Sequence, residues 1–284
     1  MAELLRGQSY LADEGLATIA FLAISLNRPL FLEGAPGVGK TALAYALAAV
    51  TETPLLRLQC YEGIDRRQAL YDWNFPRQVL HLRASERDAE SAADREKLEG
   101  SLYDERFLIE RPILRALRTR STLLIDEIDR ADDEFEAFLL ESLSDYSVSI
   151  PELPQPTIRC EPGNEPWVVI TSNRTREVHD ALKRRCFYHW VGHPDVEREV
   201  AIVRQQVPQA SGRLVRQAAE VTARLRNANL LKPPGIAETI DWVRALHLLG
   251  AEGVDPRTAR ATLGIVLKNE DDIATVSDEQ LTAT

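Results

Sequence analysis

Eight consecutive residues, Gly34-Ala35-Pro36-Gly37-Val38-Gly39-Lys40-Thr41, are of the types and in the order that grip a phosphate chain. Gly34, Gly37 and Gly39 permit a tight loop whose backbone N–H groups turn inward toward an anion. Those groups and the start of a following helix bind phosphate oxygens. Lys40 would reach the β- and γ-phosphates, and the Thr41 hydroxyl is a hard ligand for Mg²⁺. A second pair, Asp126-Glu127, closes the apolar run Leu123-Leu124-Ile125. Asp126 would hold Mg²⁺, mostly through water, and Glu127 would polarise an attacking water as general base. Phosphate-loop kinases must exclude water, whereas an Asp-Glu pair on a buried strand is what a hydrolase needs.

Both constellations require strands to deliver them. The run 30–33 reads as a short strand entering the loop, and 41–50 as an apolar helix leaving it. Further strands are expected at 55–59, 122–125, 167–171 and 186–191, with helices at 11–26, 111–120, 132–143 and 178–185. Strand alternating with helix implies an α/β fold, a parallel sheet sandwiched by helices. Segments 147–150 and 157–160 alternate as a hairpin, with Pro151, Pro154 and Pro156 forcing a loose loop between them. The stretch 85–99 carries six acidic and three basic residues and reads as a solvated helix. From Pro194 onward only helices are expected, at about 195–206, 212–227, 237–249 and 256–267. The chain thus divides into a nucleotide-binding domain, 1–192, and an all-helical lid, 193–284.

Composition narrows the partners. With 284 residues the chain is long enough to bury a substantial core. It has 34 basic and 44 acidic residues, a net charge of −10. That weighs against nucleic acid and anionic membrane surfaces, which need a basic face. Cys60, Cys160 and Cys186 are too few and too far apart for a disulfide framework or a zinc ligand set. His81, His179, His189, His193 and His247 show no metal spacing. No segment is long and apolar enough to span a bilayer, and Met1-Ala2-Glu3 does not open a signal peptide. A cytoplasmic location is expected.

The phosphate loop, Leu123-Leu124-Ile125-Asp126-Glu127-Ile128-Asp129-Arg130 and Thr171-Ser172-Asn173 together resemble an AAA+ ATPase, over nearly the whole chain. More narrowly, Gln59-Cys60-Tyr61-Glu62-Gly63-Ile64-Asp65 with Ala69-Leu70-Tyr71-Asp72-Trp73-Asn74 is similar to the MoxR-type ATPases encoded beside aerobic carbon monoxide dehydrogenase. The resemblance implies a P-loop NTPase sheet, ATP and Mg²⁺ as substrate and cofactor, and a hexameric ring of identical subunits. It also implies a von Willebrand factor A domain partner and a client metalloenzyme, carbon monoxide dehydrogenase or another. Asn173 matches sensor 1, the polar side chain that orients the water. Arg185, with Arg184 as the alternative, matches the arginine finger that crosses to a neighbour's nucleotide. Gln59 matches a polar contact to the catalytic Glu, and Arg130 is either an intersubunit contact or a helix-start cation.

The resemblance further implies an insert in the second helix, about 72–84, and a hairpin before sensor 1, about 147–160. Both would face the client, with Tyr71, Trp73 and Phe75 as contacts. One departure stands out. Where the lid normally carries a sensor 2 arginine, this chain has Glu238 or Thr239, with Arg244 further along as a substitute. Two other classes remain open beside the remodelling ATPase, a DNA-associated AAA+ loader and a nucleotide-binding scaffold that hardly turns over.

Overall fold

The computed structural model describes residues 1–85, 98 and 100–281. The chain opens with α1 (Ala2–Gly7), α2 (Glu14–Ser25), β1 (Leu30–Glu33), α3 (Lys40–Val50), β2 (Leu55–Gln59) and α4 (Arg66–Leu70). There follow β3 (Tyr71–Trp73), α5 (Phe75–Ser85), β4 (Leu108–Glu110), α6 (Pro112–Arg118), β5 (Thr122–Asp126) and α7 (Asp133–Asp145). Next come β6 (Ser147–Ser149), β7 (Thr157–Arg159), β8 (Trp167–Ser172), α8 (Asp180–Lys183) and β9 (Phe187–Trp190). The described chain ends in helices α9 (Val196–Gln206), α10 (Gly212–Asn227), α11 (Ile236–Leu248), α12 (Pro256–Val266), α13 (Glu270–Thr275) and α14 (Asp278–Leu281).

Five strands form one parallel sheet in the order β2-β5-β8-β1-β9, flanked by helices. This is the α/β class that strand–helix alternation implies. Position in the sheet explains strand composition. All five residues of β5, between β2 and β8, are buried, so Thr122-Leu123-Leu124-Ile125 is apolar or hydroxyl-bearing on both faces. Strand β2 lies at an edge and alternates, with Leu56 and Leu58 inward and Arg57 and Gln59 exposed. The β2/β5 register sets Arg57 opposite Leu124 and Gln59 opposite Asp126.

One region departs from the sequence reading. The sequence pattern places no strand between residues 60 and 120, yet β3 pairs antiparallel with β4, Tyr71 opposite Glu110 and Trp73 opposite Leu108. Three residues are too few for alternation to register, and the partner lies far along the chain. The stretch 72–84, expected to supply the insert, therefore sits inside a larger excursion opened by β3 and closed by β4. Strands β6 and β7 pair antiparallel, Ser147 opposite Arg159 and Ser149 opposite Thr157. The acidic stretch 85–99 lies, except for Ser85 and Leu98, outside the described residues. Among the described residues no helix is long and apolar enough to cross a membrane.

Contacts group the chain into two units. One comprises Met1–Phe21, Leu32–Val50 and His189–Thr284, the other Leu22–Phe31 and Thr51–Tyr188. The first unit carries a helical core around Trp242, Val203, Leu214, Leu246 and Leu263, each almost wholly buried. Inside it Arg226 donates to both Glu199 oxygens at 2.5 and 2.7 Å, and Thr239 Oγ1 adds a bond at 2.7 Å. A buried ion pair is tolerated only with such full hydrogen bonding. Arg226 Nε also donates to Pro234 O at 2.7 Å, which fixes the turn into Gly235.

The second unit packs α6, α7 and the inner strands around Leu114, Leu123, Ile125, Phe135, Leu139 and Ile170. Asp132 caps α7, its carboxylate accepting from Phe135 N at 2.9 Å, so the helix starts at a fixed point after the acidic strand end.

Candidate active site

In the first unit the phosphate loop joins β1 to α3. Gly37 and Gly39 adopt φ of 76° and 93°, the left-handed region where a side chain would be strained. Lys40 is 6% exposed and its ammonium donates to Gly34 O and Ala35 O, both at 2.7 Å. A buried ammonium needs such acceptors. The loop thus orders its own cation, and α3 begins at that residue with its N-terminal amides at the loop. A cavity of about 460 Å³ lies beside α3, lined by Tyr10, Thr41, Tyr45 and Gln206 among others. Burial drives the Tyr10 phenol well above its ordinary pKa, so it stays a neutral hydroxyl.

Within the same unit α11 begins against this loop. Gly37 O accepts from Ile236 N at 3.0 Å and from Ala237 N at 3.4 Å. A Cβ on Gly235 would stand 2.8 Å from Gly37 Cα, closer than any side chain tolerates, so this approach requires glycine. Glu238 accepts from Gly235 N at 2.9 Å as the helix cap, and its carboxylate lies against Gly37. Arg244, considered as a substitute sensor, is half-exposed and pairs with Asp241 at 3.2 Å. Thr239 is buried on Glu199. The group at the loop is therefore an acid and two backbone amides.

The second unit holds the carboxylates. Asp126 is almost wholly buried, with Arg57 Nε and Nη2 on Oδ2 at 3.0 and 2.6 Å and Thr171 Oγ1 on Oδ1 at 2.5 Å. Thr171 Oγ1 also accepts from Glu127 N at 2.9 Å, so one hydroxyl from β8 fixes both members of the pair. Glu127 sits at φ 57° and ψ 51°, a left-handed conformation that costs a non-glycine residue about 1 kcal/mol or more. That backbone turn separates the directions of the two carboxylates. Glu127 Oε1 accepts from Asn173 Nδ2 at 3.2 Å and Oε2 from Gln59 Nε2 at 3.1 Å, and the Arg130 guanidinium pairs with Oε2 as an ion pair at 2.8 Å. Gln59 is in turn held through its Oε1 by Arg57.

Asn173 is placed by a further acid, Asp129, 3% exposed. Asp129 accepts from Asn173 N at 3.0 Å, Thr175 N at 2.9 Å and Thr175 Oγ1 at 2.6 Å. Burial raises the Asp129 pKa, but the bonds from Thr175 and Asn173 outweigh it and hold the group below its ordinary range. Cys60 follows Gln59 and is pushed up to about 12, by burial first and then by Asp126 and the other acids, so it remains a thiol.

The structure therefore brings Asp126, Glu127, Asn173 and Gln59 together. It does not bring the two arginines to them. The Arg185 guanidinium is exposed and donates to Leu140 O at 3.1 Å, while Arg184 is exposed and its side chain makes no hydrogen bond or ion pair among the described residues. Sequence reasoning misses Arg57, Thr171 and Asp129 as site residues. Arg57 has a signal, a charge two residues before Gln59 and so on the same face of the strand. Thr171 and Asp129 read as strand and turn residues until the fold sets them beside the pair.

The Thr41 hydroxyl in the first unit and the Asp126 carboxylate in the second are each a hard oxygen of the kind Mg²⁺ takes. Both Asp126 oxygens are already engaged, which favours a hold through water. Among the described residues no group of three or more His, Cys, Asp or Glu could hold a metal.

The family pattern described as AAA domain (dynein-related subfamily) matches residues 29–186. An uncharacterised protein of Staphylococcus haemolyticus is 24% identical over 246 residues, covering 86% of this chain and 84% of its own. One from Staphylococcus aureus is 25% identical over 238 residues, covering 83% and 81%. Among solved structures, two single-residue variants of RuvB from Thermotoga maritima align at 16% identity with TM-scores of 0.52 and 0.51. They cover 94% of this chain and 70% of theirs, a likeness of fold.

Proposed function

Because the chain belongs to the dynein-related subfamily of AAA domains, we propose a ring-forming ATPase of the MoxR type that remodels a client metalloenzyme or completes its metal cofactor. The protein is an ATP hydrolase. The observation that carries the hydrolytic reading is the Glu127 carboxylate, held by Asn173 and Gln59 beside the buried Asp126. The narrower MoxR reading is supported by Gln59-Cys60-Tyr61-Glu62-Gly63-Ile64-Asp65 and by the β6–β7 hairpin.

In this reading Gly34 to Thr41 bind the triphosphate, and Lys40 leaves its loop carbonyls to neutralise the β- and γ-phosphates. Mg²⁺, held by Thr41 and through water by Asp126, would supply charge neutralisation between the phosphates. Glu127 takes the proton from the water that attacks the γ-phosphorus, and Asn173 orients that water. ADP leaves with its β-phosphate oxygen as the leaving group. Arg185, with Arg184 as the alternative, is the finger offered to a neighbouring subunit; both are exposed, and Arg185 would leave its bond to Leu140 O to act. The nucleotide-binding domain spans 1–192 and the lid 193–284. The lid reads the loop through Gly37 O and the α11 amides instead of a sensor 2 arginine.

The test is a Glu127→Gln variant, which binds ATP but turns over about a hundredfold or more slowly. Expressed in the native host and isolated with ATP and Mg²⁺, it should retain a von Willebrand factor A protein and molybdenum hydroxylase subunits, identified by mass spectrometry. Recovery of replication proteins, or salt-dependent DNA affinity, would replace this reading with the loader.

A further inference from the structure

A helix start beside a phosphate site normally adds positive potential, because its free amides face the anion. The start of α11 does the opposite. Its first amides, Ile236 N and Ala237 N, donate to Gly37 O, so the loop's own carbonyl takes them. Glu238 Oε2 accepts from Gly235 N at 2.9 Å and stands 3.0 Å from the position that a Cβ on Gly37 would take. The lid thus sets a carboxylate, half-buried, against the middle of the phosphate loop. The cations of the same unit are engaged elsewhere. Lys40 donates to Gly34 O and Ala35 O, and Arg226 is paired with both Glu199 oxygens. His193 lies within electrostatic reach of Glu238 and Lys40. Partial burial first, and then Arg226, holds it below its ordinary pKa, so it is neutral near neutrality and does not offset the acid.

Taking Gly34 to Thr41 as the cradle of the triphosphate, as read above, we propose that Glu238 sets the nucleotide preference of the site: its charge beside Gly37 opposes the terminal phosphate and holds the affinity for ATP down relative to ADP. The third phosphate adds negative charge to the ligand, so the repulsion falls more heavily on ATP than on ADP. No contact with a phosphate is required, because charges in partly exposed surroundings act on one another across about a Debye length, ~10 Å at 0.1 M salt. Glu238 takes no part in the chemical step. Its second task is structural, capping α11 through Gly235 N.

The experiment is equilibrium binding of AMP-PNP and of ADP, each with Mg²⁺, to the full chain, comparing wild type with Glu238→Gln and Glu238→Ala at low and high salt. Gln keeps a carbonyl oxygen for Gly235 N and loses only the charge. Glu238→Gln is expected to bind AMP-PNP about three- to tenfold tighter at low salt, with a smaller gain for ADP. The gain should shrink as salt rises. Glu238→Ala should shift the preference the same way but melt at a lower temperature, because it loses the cap as well. AMP-PNP affinity that is unchanged or weaker in Glu238→Gln, equal gains for the two nucleotides, or a gain that does not fade with salt overturns the proposal. Wild type that binds neither nucleotide removes the reading of the loop and the role of Glu238 together. Wild type that binds both, with Glu238→Gln identical to it, removes the role of Glu238 alone.

Discussion

The phosphate loop and the paired carboxylates are built by opposite means. The loop binds with backbone amides and one lysine, and its own carbonyls hold that lysine at 2.7 Å. Its parts are contiguous, so eight residues carry both the conformation and the chemistry. The carboxylates depend on side chains gathered from β2, β5 and β8 and the turns after them. Arg57 and Thr171 fix Asp126, Thr171 and Gln59 fix Glu127, and Asp129 fixes Asn173. A contiguous motif survives as long as its loop forms. A gathered one depends on strand register, because a slip of one residue would turn Arg57 and Gln59 to the other face.

That contrast can be broken at its ends. The largest effect is expected at the loop. Lys40→Ala should lower kcat/KM for ATP about a hundredfold or more, read by steady-state hydrolysis, because no other side chain of the loop carries charge. A loss under about tenfold would mean that the backbone alone does the binding.

Thr171→Val sharpens the contrast from the other side. It keeps the shape and removes one hydroxyl that serves both Asp126 and Glu127. The expected outcome is a loss of about 1–3 kcal/mol in urea unfolding, with a fall in kcat and little change in nucleotide affinity. Affinity falling as far as kcat would show that the two constructions are not separable in this way.

The smallest effect is a pH dependence. The Asp129 pKa is lowered in the folded chain relative to its ordinary 3.8. Its stabilising contribution is therefore full above that value and lost as pH falls through the lowered one. Asp129→Asn should melt less steeply with falling pH below about 4 than wild type does, with the two curves parallel near neutrality. Parallel curves throughout would place the acid sensitivity elsewhere.

Much of the fold is legible in the amino-acid pattern. Strands 30–33 and 55–59 emerge from short apolar runs bounded by Pro, Gly and Thr, and the helices after Pro194 from their apolar periodicity. What escapes is β3 with β4, each of three residues and each defined only by the other. The site divides the same way. Asp126 and Glu127 are visible as acids ending an apolar strand. Arg57 looks like a solvated strand residue, and the Gly235 approach to Gly37 has no local signature at all.

The sequence by itself determined the phosphate loop, the acidic strand end and the α/β class, because each rests on residues adjacent in the chain, where spacing and rotamer-independent backbone geometry suffice. Only the tertiary structure decided which side chains tune those groups. It set Arg57 on Asp126, Arg130 and Gln59 on Glu127, and Gly235 with Glu238 at the loop in place of an arginine. The physical reason is range: hydrogen bonds and ion pairs act over about 3 Å, a distance that strand register and helix packing create and that separation along the chain does not encode.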